Sequence, residues 1–140
     1  MSIEGRLIPG WLPFIFVKFI CDQLEINKDI LMVVDTGTAI TTINEFDARG
    51  MKVDYSKLTK NQNSLGIGGQ AESYLAESCH LYFGEGIESV DVKPVKFLRQ
   101  NGAEKPTQEL YPSLLGMDVL RNYEIRFTDS TVILEKRASG

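Results

Sequence analysis

The segment that most constrains this chain runs Ile30-Leu31-Met32-Val33-Val34-Asp35-Thr36-Gly37-Thr38-Ala39-Ile40-Thr41. Its first five residues are an unbroken apolar stretch, which reads as a short strand buried on both faces. Such a strand needs sheet neighbours along its edges and side chains packed above and below it. It then stops at an acid followed by Thr-Gly. A buried strand fixes the position of the carboxylate at its end, and Gly37 lets backbone approach closely and offer N–H donors. Taken alone, the tripeptide reads equally well as a strand-ending turn, because Asp and Gly are common turn residues.

The remaining pattern is dominated by strands. Phe14–Ile20 is aromatic and β-branched, Ile26–Asp29 reads as a turn, and Ile30–Val34 completes an opening hairpin. Asn44 is a good N-cap for a short helix with Glu45 and Asp47 in its first turn and Gly50 at its end. Residues 55–64 look polar and loop-like. Strands are expected over Tyr74–Phe83 and Val90–Leu98, with Gly84-Glu85-Gly86 between them. Gln100–Pro112 is a polar loop and Asp118–Arg121 a helical turn. Tyr123–Phe127 and Thr131–Leu134 form a last hairpin around Asp129-Ser130. With no internal repeat and no linker, the 140 residues describe one all-β, barrel-like domain with one or two short helices. The tetrapeptide Ile3-Glu4-Gly5-Arg6 has the look of a processing tag. Residues 1–10 are therefore expected to be flexible or partly a tag, and the first six carry no structural weight.

Composition excludes several functions. A net charge of −4 gives no basic face for nucleic acid. Leu12–Ile20 is apolar but too short to span a bilayer as a helix, and Lys18 interrupts it. Its flanks do not suit a signal peptide, so the expected compartment is the cytoplasm, with no membrane insertion. Cys21, Cys79 and the single His80 lack metal-ligand spacing, so no metal or cofactor is expected; whether the two cysteines pair is left open.

Two further segments matter. Gly66-Ile67-Gly68-Gly69 is too glycine-dense for a packed strand and suits a hairpin tip. A phosphate cradle would need a helix after the glycines, and for a P-loop a Lys-Ser/Thr, and Gln70-Ala71-Glu72-Ser73 offers neither. Leu114-Leu115-Gly116-Met117-Asp118 places two apolar residues before a glycine and a helical turn.

In order, these three segments resemble the retropepsin-like aspartic proteases: an apolar strand into Asp-Thr-Gly, a glycine-rich flap, then two apolar residues and a glycine leading into a helix. The resemblance covers most of residues 14–127. It implies a single-lobe acid-protease β-barrel and an aspartic endopeptidase with Asp35 as a catalytic carboxylate. Two-lobed members carry two such motifs in one chain. This chain has one, so the second Asp35 would come from a second copy in a homodimer acting on a peptide or protein substrate. By the same resemblance, Thr36 would link the two motifs at the dimer axis and Gly37 would contact substrate backbone. Ile67, Gly68 and Gly69 would form the flap, and Leu114, Leu115 and Gly116 would back the active-site loop. Thr38 is placed to donate a hydroxyl hydrogen bond to Asp35, or else to backbone. Retroviral members usually carry an acid at the position of Ala39 and an Arg at that of Met117; both are absent here. The chain also continues into an extra strand, Thr131–Leu134, which makes the Tyr123–Leu134 hairpin a candidate for the dimer contact. A catalytically silent peptide-binding or assembly module and an unrelated ligand-binding barrel are the competing readings.

Overall fold

A computed structural model describes residues 2–8, 12–61, 65–66, 69–84, 88–100 and 112–138. The chain is built from β1 (Ser2–Ile8), β2 (Leu12–Cys21), β3 (Ile26–Val34), β4 (Thr42–Ile43), α1 (Glu45–Gly50), β5 (Thr59–Asn61), β6 (Leu65–Gly66), β7 (Gly69–Ala76), β8 (Cys79–Phe83), β9 (Glu88–Val92), β10 (Val95–Gln100), β11 (Ser113–Leu115), α2 (Met117–Leu120), β12 (Tyr123–Phe127) and β13 (Thr131–Lys136). It is the all-β, single-lobe architecture expected, with the two short helices.

The main sheet runs β12-β13-β1-β2-β3-β11-β4-β10-β7-β5. β8 branches from β2 and pairs with β9, so the sheet folds over itself. Strand alternation sorts side chains between core and solvent. Ile15, Val17, Phe19 and Cys21 of β2 point inward, as do Cys79, Leu81 and Phe83 of β8 and Val132 and Leu134 of β13. Phe19 and Phe97 meet edge to face at 5.9 Å. Each fully buried aromatic of this kind contributes roughly 1.5–3 kcal/mol.

Several boundaries depart from the pattern read in the sequence. The first hairpin turns at a 3₁₀ segment, Asp22–Leu24, with Glu25 left-handed at φ 55°. Ile26–Asp29 is therefore strand, held by the core position of Ile26 opposite Cys21. Residues 55–61 are not a plain loop: a 3₁₀ turn at Tyr55–Lys57 leads into β5, which pairs with β7. The expected long strand Tyr74–Phe83 breaks at Glu77-Ser78, because β7 pairs with β10 while β8 pairs with β2. Val90–Leu98 breaks at Lys93-Pro94, where proline has no N–H for a ladder. The Asn44 cap holds: its Oδ1 accepts from the Asp47 N–H at 2.6 Å. The final hairpin also falls where expected. Most of the Gln100–Pro112 loop lies outside the described residues.

Residues 2–8 do carry structural weight. Ser2–Ile8 is an interior strand, paired to β13 on one side and β2 on the other. Ile3 and Gly5 face the core while Glu4 and Arg6 face solvent, the alternation of a half-buried strand. Cys21 and Cys79 are free, buried thiols. They are near neighbours: a hydrogen bond from Cys79 draws the Cys21 thiol down to about 7, against the opposing effect of burial, while Cys79 is driven up.

Gly5 tests whether the N-terminal strand is structural. A Cβ there would lie 2.2 Å from the Phe14 carbonyl oxygen and 2.7 Å from the Ile15 side chain. Gly5→Val is expected to destabilise the fold by about 1–3 kcal/mol or more, read by urea denaturation. Glu4→Gln, on the solvent face, should be neutral. Equal stability of all three proteins would show that β1 is dispensable.

Candidate active site

Asp35 sits one residue past the end of β3, and its position is set by backbone geometry. β3 runs parallel to β11, with Val33 opposite Leu114 and Val34 opposite Leu115. The Asp35 N–H donates to the Leu115 carbonyl at 3.0 Å, extending that ladder by one bond. The chain then turns back, with the Thr38 N–H donating to the Asp35 carbonyl at 3.2 Å.

The carboxylate is held by its own loop. The Gly37 N–H donates to Oδ1 at 2.9 Å and the Thr38 hydroxyl to Oδ2 at 2.8 Å. Of the two roles open to Thr38 in the sequence, the structure has the carboxylate bond. Both donors hold the carboxylate in one orientation. A Cβ on Gly37 would lie 3.2 Å from Oδ1, so a side chain there would crowd the carboxylate. Thr36 and Gly37 are exposed and Asp35 is half-buried, which leaves the acid open to solvent on one side.

A second loop locks onto the first. The α2 N-terminal N–H groups lack intrahelical partners. Here Met117 donates to the Thr38 carbonyl at 2.7 Å and Asp118 to that of Ala39 at 3.1 Å. The approach requires Gly116, where a Cβ would sit 2.8 Å from the Thr38 oxygen and 3.0 Å from Thr41 N. Leu115 and Gly116 are buried behind the loop and Leu114 is half-buried.

Sequence reasoning missed the clamp that joins the two loops. Asp118 accepts the Thr41 N–H at 3.0 Å on Oδ2 and the Thr41 hydroxyl at 2.7 Å on Oδ1. The Thr41 hydroxyl oxygen in turn accepts the Gly116 N–H at 3.1 Å. Thr41 is fully buried. With Ala39 and Met117 unable to pair, Thr41 and Asp118 tie the loops instead. The signal was the Thr-rich run after Gly37 matched to an acid two residues after Gly116, but pairing across 77 positions is not readable from one sequence. Ser113 was missed similarly. It receives the Asn44 N–H at 3.0 Å and donates to Asp47 Oδ2 at 2.6 Å, joining β11 to α1. Burial pushes the Asp47 carboxyl up, offset in part by that Ser113 bond. Its contribution to stability is thus fullest below the ordinary carboxylate range and declines as pH rises through the raised value.

The glycine-rich segment is a hairpin where described. β6 pairs antiparallel with β7, Leu65 opposite Gln70 and Gly66 opposite Gly69. Ile67 and Gly68 lie outside the described residues. Among the described residues no cluster of three or more His, Cys, Asp or Glu could hold a metal ion, and no helix is long and apolar enough to cross a membrane.

What the assembled site offers chemically is one positioned carboxylate. The other acid in the loop pair, Asp118, commits both oxygens to Thr41 and cannot act beside Asp35. Comparisons with known proteins bear on the family and on the fold. A family model described as gag-polyprotein putative aspartyl protease matches residues 23–122. A crystal structure of a retropepsin-like aspartic protease from Rickettsia conorii is similar in fold, with a TM-score of 0.60 at 19% sequence identity. The match covers 96% of this chain and 90% of that one. No curated protein matches the chain.

The clamp makes a measurable demand. Thr41→Val keeps the shape but removes one donor to Asp118 and the acceptor for Gly116 N–H. The expected cost is roughly 2–3 kcal/mol, a fall in Tm of roughly 5–15 °C. The double substitution Thr41→Val/Asp118→Asn should cost less than the sum of the single changes. Additivity in that thermal-denaturation cycle would mean the two side chains are not coupled.

Proposed function

Because the chain belongs to the gag-polyprotein putative aspartyl protease family, we propose that it is an aspartic endopeptidase whose working site is assembled from the Asp35 residues of two copies. The observation that carries this reading is the single Asp35 carboxylate, fixed by the Gly37 N–H and the Thr38 hydroxyl and open on its far side. Peptide hydrolysis by carboxylates alone needs a base for water and an acid for the carbonyl. One chain supplies one suitable group.

In the two-chain site, two carboxylates in contact cannot both ionise cheaply, so they share a proton. The ionised group takes a proton from a water held between them, and that water attacks the scissile carbonyl carbon. The protonated group donates to the carbonyl oxygen. Collapse of the tetrahedral intermediate returns that proton and delivers the other to the leaving amine, restoring the starting pair. Titration then belongs to the pair rather than to either residue. Thr36, exposed beside Asp35, faces the partner motif, and Gly37 offers its close backbone to the substrate. The β6–β7 hairpin, in which Gly66 pairs with Gly69, is the flap that closes over the peptide and excludes water. Leu114, Leu115 and Gly116 hold the loop from behind.

Asp35→Asn is nearly isosteric but cannot serve as base or share the proton. It should lower kcat on a diverse peptide mixture by roughly 10²–10⁴-fold or more, with circular dichroism and self-association unchanged. Full turnover by the purified variant would remove Asp35 from the chemistry. A wild-type protein that binds peptides at this site without cleaving them would favour the silent binding module.

The Thr38 hydroxyl is a positioning group and gives a separate check. Thr38→Ala should reduce kcat/KM roughly tenfold, and Thr38→Ser should restore most of it. Equal activity of the alanine and serine variants would mean that the hydroxyl bond to Asp35 does not matter for turnover.

A further inference from the structure

Two buried thiols stand outside everything the Asp35 site uses. Cys21 is the last residue of β2 and Cys79 the first of β8, and both are fully buried. The two strands pair antiparallel, with Phe19 opposite Leu81 and Ile20 opposite His80. One further step of that register sets Cys21 opposite Cys79. Alternation turns both side chains to the inner face, in line with buried Phe19 and Leu81. The contact is direct. The Cys79 thiol donates to the Cys21 sulfur, and Cys21 Sγ lies 3.9 Å from the carbonyl oxygen of Ser78.

The surroundings of this pair give it consequences. The turn after Cys21, Asp22–Leu24, carries Gln23. Gln23 Nε2 donates to the Lys57 carbonyl at 2.7 Å, and its Oε1 accepts the Glu77 N–H at 3.3 Å. Lys57 lies just before β5, and Glu77 directly follows β7. β5 pairs with the end of β7, Thr59 opposite Leu75, and β6 pairs with its start. Gln23 therefore ties both arms of the glycine-rich hairpin together at their root. Cys21 and Cys79 sit beside the two sides of that tie, at Gln23 and at Glu77.

We propose that Cys21 and Cys79 are a redox modification site, closing to a disulfide under hydrogen peroxide and reopening under thiols, and that closure stiffens the root of the hairpin. The consequence for turnover rests on the peptidase reading above; the disulfide does not. The Cys21 thiolate attacks one peroxide oxygen, the O–O bond breaks, and the departing hydroxide takes up a proton as water. The Cys79 sulfur then attacks the Cys21 sulfenic acid. The S–S bond forms, the S–O bond breaks, and hydroxide leaves with the Cys79 proton as a second water. Two electrons pass from the sulfurs to the peroxide. Two molecules of glutathione reverse the change and leave as their own disulfide. The hydrogen bond assigns the roles: Cys79 keeps its proton as donor, and Cys21, brought down to about 7, supplies the thiolate. Only the short turn covers Cys21, with Asp22 and Gln23 exposed, so local opening there admits peroxide. Opposed residues of an antiparallel pair have Cβ atoms roughly 4.5–5.5 Å apart, against about 3.5–4.5 Å in a disulfide. Closure draws the two strands together by about 1 Å, and that strain keeps the bridge reducible. It also pulls the Gln23 turn toward Glu77, which restrains β5 and β7.

The test treats the reduced full chain with hydrogen peroxide, alkylates any remaining thiol, and reads intact mass and a non-reducing peptide map. The expected result is the loss of two hydrogens, a Cys21–Cys79 cross-link within one chain, and recovery of both thiols with glutathione. Hydrogen exchange at β5 and β7 should slow roughly threefold or more on closure, and peptide hydrolysis should fall by a similar factor and return on reduction. Cys79→Ala lacks the second thiol, so peroxide should leave a Cys21 sulfenic acid that dimedone traps; an unlabelled variant would remove Cys21 as the attacking group. The wild-type map reads the bridge whether or not that variant folds. Two free thiols in folded wild type after peroxide, a cross-link formed only between chains or only in urea, or unchanged exchange at β5 and β7 would overturn the proposal. If peptide is cleaved but no bridge forms, the proposal falls and the peptidase reading stands. If the bridge forms and slows exchange while neither redox state cleaves peptide, the proposal stands and the peptidase reading falls.

Discussion

The parallel pairing of β3 with β11 is the contact on which the site depends. Parallel strands cannot be joined by a short turn, so the chain travels from Val34 to Ser113 through most of the domain before closing the ladder. Only then does Asp35 find the Leu115 carbonyl, and only then can the loop of residues 35–41 meet Gly116 and α2. Sheet, helix end and side-chain clamp converge on a segment of seven residues. Fixing Asp35 is thus the result of long-range folding rather than of its own local sequence. The cost in loop-closure entropy is offset by burial of β3 and β11 in the core.

The strand–acid–glycine signal was legible because a continuous apolar run has one common fate, and the Asn44 cap because capping is local chemistry. The final hairpin was legible for the same reason. Boundaries failed where a polar residue sits in a strand. Asn27, Lys28 and Asp29 look like a turn, yet they pair with Ile20, Phe19 and Lys18 because Ile26 and Ile30 on either side are buried. The stretch read as one strand across β7–β8 hid a break that only sheet partnering imposes, and the one across β9–β10 a break at Pro94. β1 was discounted for a tetrapeptide resembling a tag, although Ile3-Glu4-Gly5-Arg6-Leu7 has the alternation of a strand and its glycine sits where no Cβ fits. At the site, Asp35 and its two local donors could be anticipated, since they lie within three residues. The Thr41–Asp118 clamp and the Asn44–Ser113–Asp47 network could not, because each joins residues more than sixty positions apart.

That clamp also shows how a chain lacking Ala39–Met117 charge pairing retains a rigid site. An ion pair in a partly buried loop carries a desolvation penalty that its attraction need not repay. A carboxylate bonded to a buried hydroxyl and a backbone N–H avoids burying a second charge. The whole arrangement stays within one chain, so the loop around Asp35 is organised before any partner arrives. Preorganisation of this kind lowers what an association must contribute.

The terminal strands extend the same logic to assembly. Because β1 is claimed on both edges by β13 and β2, the N-terminus is spent within its own chain. β13 is likewise enclosed, between β1 and β12. Of these terminal strands, β12 is the one with a single strand partner among the described residues, and it follows α2 after two residues. On the two-chain reading, any rotation of the partner at that edge is transmitted through α2 to the loop it caps, since Met117 and Asp118 donate directly to Thr38 and Ala39. β12 and the Asp35 loop are thus two ends of one connected unit, residues 35–41 bonded to the segment that runs from Leu115 through α2 into β12.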